Sequence, residues 1–142
     1  MQKTSDGEFL KDGINPTHSG STWPITLIPF AIRGAIWYQG ESNAETPARV
    51  REHGRLFPLL INQWRKQWGQ GDFPFLYMQL PALNRPAWPW FRDGQRRTLS
   101  QLKNVGMAIT IDTGHPTLKK TGGQRLAKWA FWNHVSVEVT RD

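Results

Sequence analysis

Residues 31–44 read AIRGAIWYQGESNA, and this stretch decides what the rest of the chain is expected to build. It begins as an apolar run, breaks at Gly40 and then presents a row of polar side chains. Such a run is typical of a buried parallel strand that leaves a sheet at its carboxyl end. Because open α/β sheets bind ligands beyond that end, Gln39, Glu41 and Asn43 are candidate site residues.

Two interpretations of these polar residues stay open on their chemistry alone. In the first, amide donors and the Gly40 N–H stabilise a developing oxyanion. In the second, the residues form a polar turn whose side chains only cap the following helix. Ser42 is a poor candidate for a nucleophile, because it lies outside a Gly-x-Ser-x-Gly elbow and no histidine is close in sequence.

The rest of the chain predicts strands that alternate with helices. The first helix has Thr46 as its N-cap and Pro47 at its first position, and glycines from Gly69 onward end it. Pro58 should kink or divide this helix near Phe57. Further helices are predicted over 91–102 and 123–132, buried strands over 34–39, 75–80 and 105–111, and an edge strand over 135–139. This alternation predicts an α/β fold, a three-layer α/β/α sandwich with a mainly parallel sheet.

Length and composition indicate one globular domain. The 142 residues carry 38% hydrophobic and 20% charged side chains. Residues 1–22 have few apolar anchors and are predicted to be a loop or arm, and residues 23–142 to form the domain. Residues 1–13 are polar throughout, so no signal peptide is expected there. No apolar run approaches the roughly 20 residues that span a bilayer.

Charge and aromatic content each have two interpretations. The formal net charge is +7, which suits a nucleic-acid partner, but the basic residues occur in scattered pairs such as Arg65–Lys66. A solvated basic surface is therefore the favoured interpretation. The chain has 8 tryptophans, which serve either as core packing or as stacking platforms for sugar rings. The absence of cysteine excludes disulfides and thiolate chemistry.

Asp112 and His115 follow the third predicted strand in a Gly-containing loop. Their DxxH spacing suits an Asp–His pair for proton transfer, and equally an ordinary loop histidine beside a carboxylate that bonds local backbone. The remaining histidines, His18, His53 and His134, show no metal-ligand spacing.

WYQGESNA, followed by RLFPLLINQWRKQW, FPFLYMQL, FRDGQRRTLSQLKNVGMAITIDTGHP and GGQRLAKWA, resembles the sialate O-acetylesterase family over about residues 24–130. The resemblance implies a flavodoxin-like sandwich of the SGNH-hydrolase type. It also implies hydrolysis of acetyl esters on sialic acids or other sugars by a serine, a histidine and an aspartate. No cofactor or metal is implied, and the partner is an acetylated carbohydrate rather than a nucleic acid or membrane.

The resemblance transfers only part of the family's site. Gln39, Gly40, Glu41 and Asn43 match the QGESN block and are implied to be oxyanion-hole or pocket residues. The nucleophile serine and the Asp–His pair are not identified: the segment 18–21 is only the nearest match to a nucleophile block. GHPT runs straight into LKKTGGQRL, so His115 corresponds to the loop before the family's Asp-x-His-Pro block.

We therefore expect an incomplete carbohydrate O-acetylesterase domain with negligible esterase activity on its own. The alternative is a non-catalytic carbohydrate-binding or structural remnant of the same fold. An incomplete sheet leaves unpaired edges, so either a homo-oligomer or a missing segment should complete it. Family members are often exported or periplasmic, but this sequence does not indicate a compartment.

Overall fold

The structure is a computed structural model of the chain and describes residues 27–113 and 119–134. From Ile32 onward these residues belong to one compact unit, Ile32–Asp142, whereas residues 27–31 belong to the unit Met1–Ala31. The predicted edge strand over 135–139 and nearly all of the predicted arm lie outside the described residues.

Within the described residues the sheet has three parallel strands, in the order β1 (Ala35–Trp37), β2 (Phe75–Gln79) and β3 (Val105–Ile109). Trp37 pairs with Tyr77, and Tyr77 pairs with Met107. The predicted parallel α/β architecture is confirmed, although the first and third strands are shorter than expected. The apolar β1 sequence predicted a central strand, but among the described strands β1 lies at an edge. Its Ile36 side chain is 72% exposed, since the described helix on that face of the sheet packs over β2 and β3.

Helix α1 (Pro47–Trp68) follows the capping rules read from the sequence. The Thr46 hydroxyl accepts the Arg49 N–H at 3.3 Å, and Gly69 adopts a left-handed conformation at the end of the helix. Of the two effects predicted for Pro58, a kink or a division, the division is wrong, because one continuous helix runs through it. A proline removes only one intrahelical hydrogen bond, and Phe57 and Ile61, on either side of Pro58, both pack in the core against the sheet.

Helices α2 (Trp88–Gln101) and α3 (Lys119–His134) are both longer than predicted. Residues 88–90 precede the predicted start of α2 at residue 91, but they form its first turn. Pro89 is acceptable there because the first N–H groups of a helix have no intrahelical acceptor.

The helices cover both faces of the sheet, which gives the expected three layers. On one face, helices α1 and α2 enclose a core cluster that includes the aromatic residues Phe57, Phe75 and Tyr77. On the other face, Leu126 of α3 packs against Leu76 and Met78. Arg65 was expected on a solvated surface, but its side chain is only 5% exposed. Its guanidinium lies over the ring of Phe73, 6.0 Å from the ring centroid. Within these ranges of the chain no helix is long and apolar enough to cross a membrane.

Candidate functional site

The candidate site lies at the carboxyl edge of the sheet, where β1, β2 and β3 end and where α1 and α2 begin. The residues after β1 form a segment that we call the 39–43 loop, which closes into a short 3-10 helix over Glu41–Ala44. β2 ends at Gln79, and Thr110 follows β3. All of the polar residues predicted from the QGESN block therefore belong to one loop at this edge.

Gly40 fixes the shape of the 39–43 loop. Its φ of 137° is a conformation that side chains rarely allow, and it lies against the ring of Phe91. A Cβ at this position would stand 2.3 Å from the Phe91 Cζ atom. Only glycine lets the loop pack this closely on the first turns of α2.

The Gly40 N–H, expected as an oxyanion donor, is already occupied in this structure. It donates to Glu41 Oε2 at 3.1 Å, and the Asn43 N–H donates to the Gly40 carbonyl at 2.9 Å. Burial, and then the charge of Glu41, raise the pKa of Tyr38 beside the loop. A carboxylate accepts but does not donate hydrogen bonds when ionised, so Glu41 shapes the loop rather than binding an oxyanion directly.

The amides of Gln39 and Asn43 are the donors that remain. Neither side chain makes a hydrogen bond to any part of the chain that the structure describes, and Gln39 is exposed. Neither caps the following helix, because the Thr46 hydroxyl does so. The sequence left open whether these amides serve a site or only a cap, and the cap function is taken by another residue.

Ser42 and His53 do not form a catalytic pair. Ser42 is exposed, and its carbonyl accepts a hydrogen bond from Arg49 at 3.2 Å. His53 is only 8% exposed and lies between the rings of Phe57 and Phe91, with centroid distances of 5.2 and 4.7 Å. Burial lowers the pKa of His53 to about 4, so the ring is neutral and packs as a core side chain.

Asp112, one half of the predicted DxxH pair, is held by an arginine. Both of its carboxylate oxygens accept hydrogen bonds from Arg125 of α3 at 2.6 Å, and this pairing lowers the Asp112 pKa to about 2. Arg125 also donates to the Ile109 carbonyl. This arrangement ties the loop after β3 to α3. His115 lies outside the described residues.

Sequence reasoning missed a polar cluster between β2 and α2. Arg92 Nη2 donates to Gln79 Oε1 at 2.8 Å, and Gln79 Nε2 donates to the Arg92 carbonyl at 2.9 Å. The Thr110 hydroxyl donates to the Gln79 carbonyl at 2.6 Å. The only sequence signal for this cluster is a single amide that ends an otherwise apolar strand, FLYMQ.

A groove of about 250 Å³ opens beside the beginnings of α1 and α2. It is lined by Pro47, Val50, Arg51 and Trp90. Trp90 is 64% exposed, whereas Trp88 is buried, stacks on Phe91 and donates its Nε1–H to the Pro81 carbonyl at 3.0 Å. Among the tryptophan side chains that the structure describes, Trp90 alone is exposed, so it is the one available as a stacking platform.

Within the described residues, neither the second groove nor any metal-binding cluster offers a better candidate site than this edge. The second groove measures about 680 Å³, but its described lining comes from α3 alone. No group of three or more metal-ligating side chains occurs over 27–113 and 119–134.

Comparisons with known proteins relate this chain to carbohydrate esterases. The family model described as "Carbohydrate esterase, sialic acid-specific acetylesterase" matches residues 21–129. The sialate O-acetylesterase of Mus musculus is 36% identical over 140 residues, covering 78% of this chain and 26% of the mouse protein. The corresponding proteins of Homo sapiens and Pongo abelii are 26% identical over the same length.

A solved structure of a carbohydrate acetylesterase also resembles this chain. A carbohydrate acetylesterase from Xanthomonas citri superposes with a TM-score of 0.66 at 38% identity, covering 74% of this chain and 27% of that protein. The chain thus spans about a quarter of the length of the relatives it matches. Because 78% of 142 residues is fewer than 140, the mouse alignment also includes positions for which this chain has no residue.

Proposed function

This chain belongs to the carbohydrate esterase family of sialic acid-specific acetylesterases, and we propose that its 39–43 loop forms one wall of a site that removes acetyl groups from sugars. The observation that carries the proposal is the position of this loop. It ends a parallel strand at the carboxyl edge, with the amides of Gln39 and Asn43 unengaged by any described residue.

In this site the two amides act as hydrogen-bond donors to the ester. A tetrahedral intermediate carries a negative oxygen, and donors that are already in place stabilise it without reorganising solvent. Glu41 holds the Gly40 N–H and so fixes the loop in which Asn43 lies. Gly40 acts by permitting the tight approach to Phe91.

The attacking serine and the proton-transferring Asp–His pair come from residues other than these. Ser42 is exposed, His53 is buried between aromatic rings, and the carboxylate of Asp112 is bound by Arg125. We expect the nucleophile and the acid–base residues to be contributed by segments that the relatives possess and this chain does not. Ester hydrolysis then proceeds through an acyl-enzyme on that serine.

The test combines an activity assay with ligand binding. The 142-residue chain should hydrolyse p-nitrophenyl acetate no faster than its Ser19→Ala and Ser42→Ala variants. Turnover that either substitution abolishes would show that the chain carries its own nucleophile. Backbone amide resonances of the 39–43 loop should shift when an O-acetylated N-acetylneuraminate is added.

Asn43→Ala should weaken that binding, whereas Asn62→Ala, an exposed asparagine on α1, should leave it unchanged. Equal binding by both variants, or no shift in the 39–43 loop, would remove the loop from the site.

A second candidate function is carbohydrate binding without catalysis, and the exposed Trp90 beside its groove favours it. An indole face stacks on the apolar face of a sugar ring. Trp90→Ala should then weaken sugar binding with little change in stability. Trp88→Ala should instead destabilise the fold, because Trp88 is packed on Phe91 and hydrogen-bonded to Pro81.

A further inference from the structure

Arg92 is a shielded cation fastened to the carboxyl edge of the sheet. It lies in the second turn of α2, near the start of the helix, and its reciprocal hydrogen bonds with Gln79 hold the guanidinium over the end of β2. Thr110 secures the same residue of β2 from the β3 side through the Gln79 carbonyl. The position of Arg92 is therefore set by three elements.

Arg92 differs from the other described arginines in having neither a counter-ion nor full contact with water. Four others that lack an acidic partner are exposed: Arg33, Arg51, Arg55 and Arg85. The buried Arg65 has Asp72 3.9 Å away. Arg92 is only half-exposed, no carboxylate of residues 27–113 or 119–134 lies within ion-pair distance, and its buried Nε atom has no hydrogen-bond partner.

This arrangement is costly for the protein alone. A charge that is partly removed from water loses hydration free energy, and the hydrogen bond from Arg92 to the neutral amide of Gln79 replaces only part of it. The same burial lowers the pKa of Arg92, with no opposing contribution from an acidic neighbour. Shielded, uncompensated charges in proteins are concentrated at sites that bind a group of opposite charge.

Arg92 adjoins the 39–43 loop. The preceding residue, Phe91, closes on Gly40. Trp37 and Tyr77 form the last pair between β1 and β2, and Gln39 and Gln79 each follow that pair by two residues along the chain. A ligand on the amides of the 39–43 loop therefore lies beside the residue that holds Arg92.

We propose that Arg92, positioned by Gln79, binds a carboxylate group of the sugar substrate and so selects acidic sugars over neutral ones. A guanidinium offers paired N–H donors whose geometry matches a carboxylate. The inference rests on the proposed function, since it assigns a specificity residue to that site. Its alternative is purely structural, with Arg92 serving only to fasten α2 to β2.

The experiment compares two ligands that differ only at the carboxyl group, the N-acetylneuraminate anion and its uncharged methyl ester, by calorimetric or NMR titration of the 142-residue chain. The unmodified chain should bind the acid at least about tenfold more tightly than the ester, the range expected for charged hydrogen bonds. Arg92→Gln should abolish that preference by weakening the binding of the acid far more than that of the ester. Arg97→Gln, an exposed arginine on the same helix, should preserve it.

Three outcomes would overturn the inference: equal affinities for acid and ester in the unmodified chain, an unchanged preference in Arg92→Gln, or the same loss in Arg97→Gln. Binding of the ester separates this failure from a failure of the proposed function. If the ester binds and the acid binds no more tightly, the proposed sugar site is supported and the proposed role of Arg92 is rejected. A merely structural Arg92 would lower the midpoint of thermal unfolding and would weaken both ligands equally.

Discussion

Gly40 shows how one backbone position connects the sequence motif to the shape of the site. Its left-handed φ and the Phe91 ring each exclude a side chain, so the glycine of QGESN is required by packing as well as by chemistry. We expect Gly40→Ala to destabilise the fold by about 2–4 kcal/mol through backbone strain and overlap with the ring. Urea denaturation would measure this difference.

The matched control is Gly94→Ala on α2. A Cβ there meets no atom within 4 Å, so the substitution should instead stabilise the chain by about 0.5–1 kcal/mol through helix propensity. If both substitutions had the same effect, the close approach of Gly40 to Phe91 would not exist in solution.

His53 predicts how stability depends on pH. Its pKa is about 4 in the folded chain, against an ordinary value of 6.5, because burial disfavours the charged ring. Between about pH 6.5 and 4, His53 therefore binds a proton in the unfolded chain but stays neutral in the native chain. The resulting stability is fully present above pH 6.5 and is lost as the pH falls to about 4, by at most about 3 kcal/mol.

The measurement is urea denaturation at closely spaced pH values between 7 and 4. His53→Leu removes the titrating ring but keeps an apolar side chain between Phe57 and Phe91, so it should flatten the decline over this interval. A decline of the same steepness in the variant would assign it to other groups.

The sequence predicted where the 39–43 loop lies in the fold but not the hydrogen bonds within it. QGESN was identified as a polar turn after a strand, and the structure places it there. What could not be predicted is that Glu41 takes the Gly40 N–H, because this depends on a side-chain rotamer and a loop conformation. Likewise, Gln79 and Arg92 are 13 residues apart, and only the packing of α2 on β2 brings them together.

At the scale of elements, residues at the ends of α1 predicted its bounds better than the internal proline predicted its course. Thr46, Pro47 and Gly69 set the bounds of α1 as expected, since these residues act through local backbone geometry. Pro58 and Pro89 misled because their effect depends on tertiary packing and on position within the helix. Strand 34–39 was predicted to be central from its apolar composition, which cannot distinguish a covered face from an uncovered one.

The buried position of Arg65 between elements could not be predicted from the pattern of charges in the sequence. At the amino edge of the sheet its guanidinium donates to the Phe73 carbonyl at 3.1 and 2.8 Å and to the Asn104 carbonyl at 2.9 Å. These bonds join α1 to the segments that enter β2 and β3. Arg65→Met should cost about 3 kcal/mol, because it leaves buried carbonyls without donors.

Thermal or urea unfolding of Arg65→Met would test this, with Lys66→Met as the control. Lys66 is the exposed neighbour on the same helix and should change stability by no more than about 0.5 kcal/mol. Sugar binding by folded Arg65→Met should be unchanged, because Arg65 lies at the edge opposite the 39–43 loop. Similar losses of stability in both variants would contradict the buried role of Arg65.

For the whole molecule, the sheet is covered unevenly. Helix α3 packs on β2 and β3 through Leu126, and Ile36 of β1 remains 72% exposed on the same face as the buried Leu76. β1 also has an unpaired edge within the described sheet. An apolar side chain beside an open edge is a surface that another strand or chain tends to cover.

We therefore expect the isolated chain to self-associate through β1, and Ile36→Lys to weaken that association by about tenfold or more. Burying one isoleucine contributes roughly 1.5–3 kcal/mol, which corresponds to at least that factor in the association constant. Sedimentation velocity over a concentration series would measure it. Leu59→Lys, at a 56% exposed position on α1, adds the same charge away from β1 and should leave association unchanged. A chain that stays monomeric throughout the series, or an equal effect of both lysines, would show that the open edge of β1 does not drive assembly.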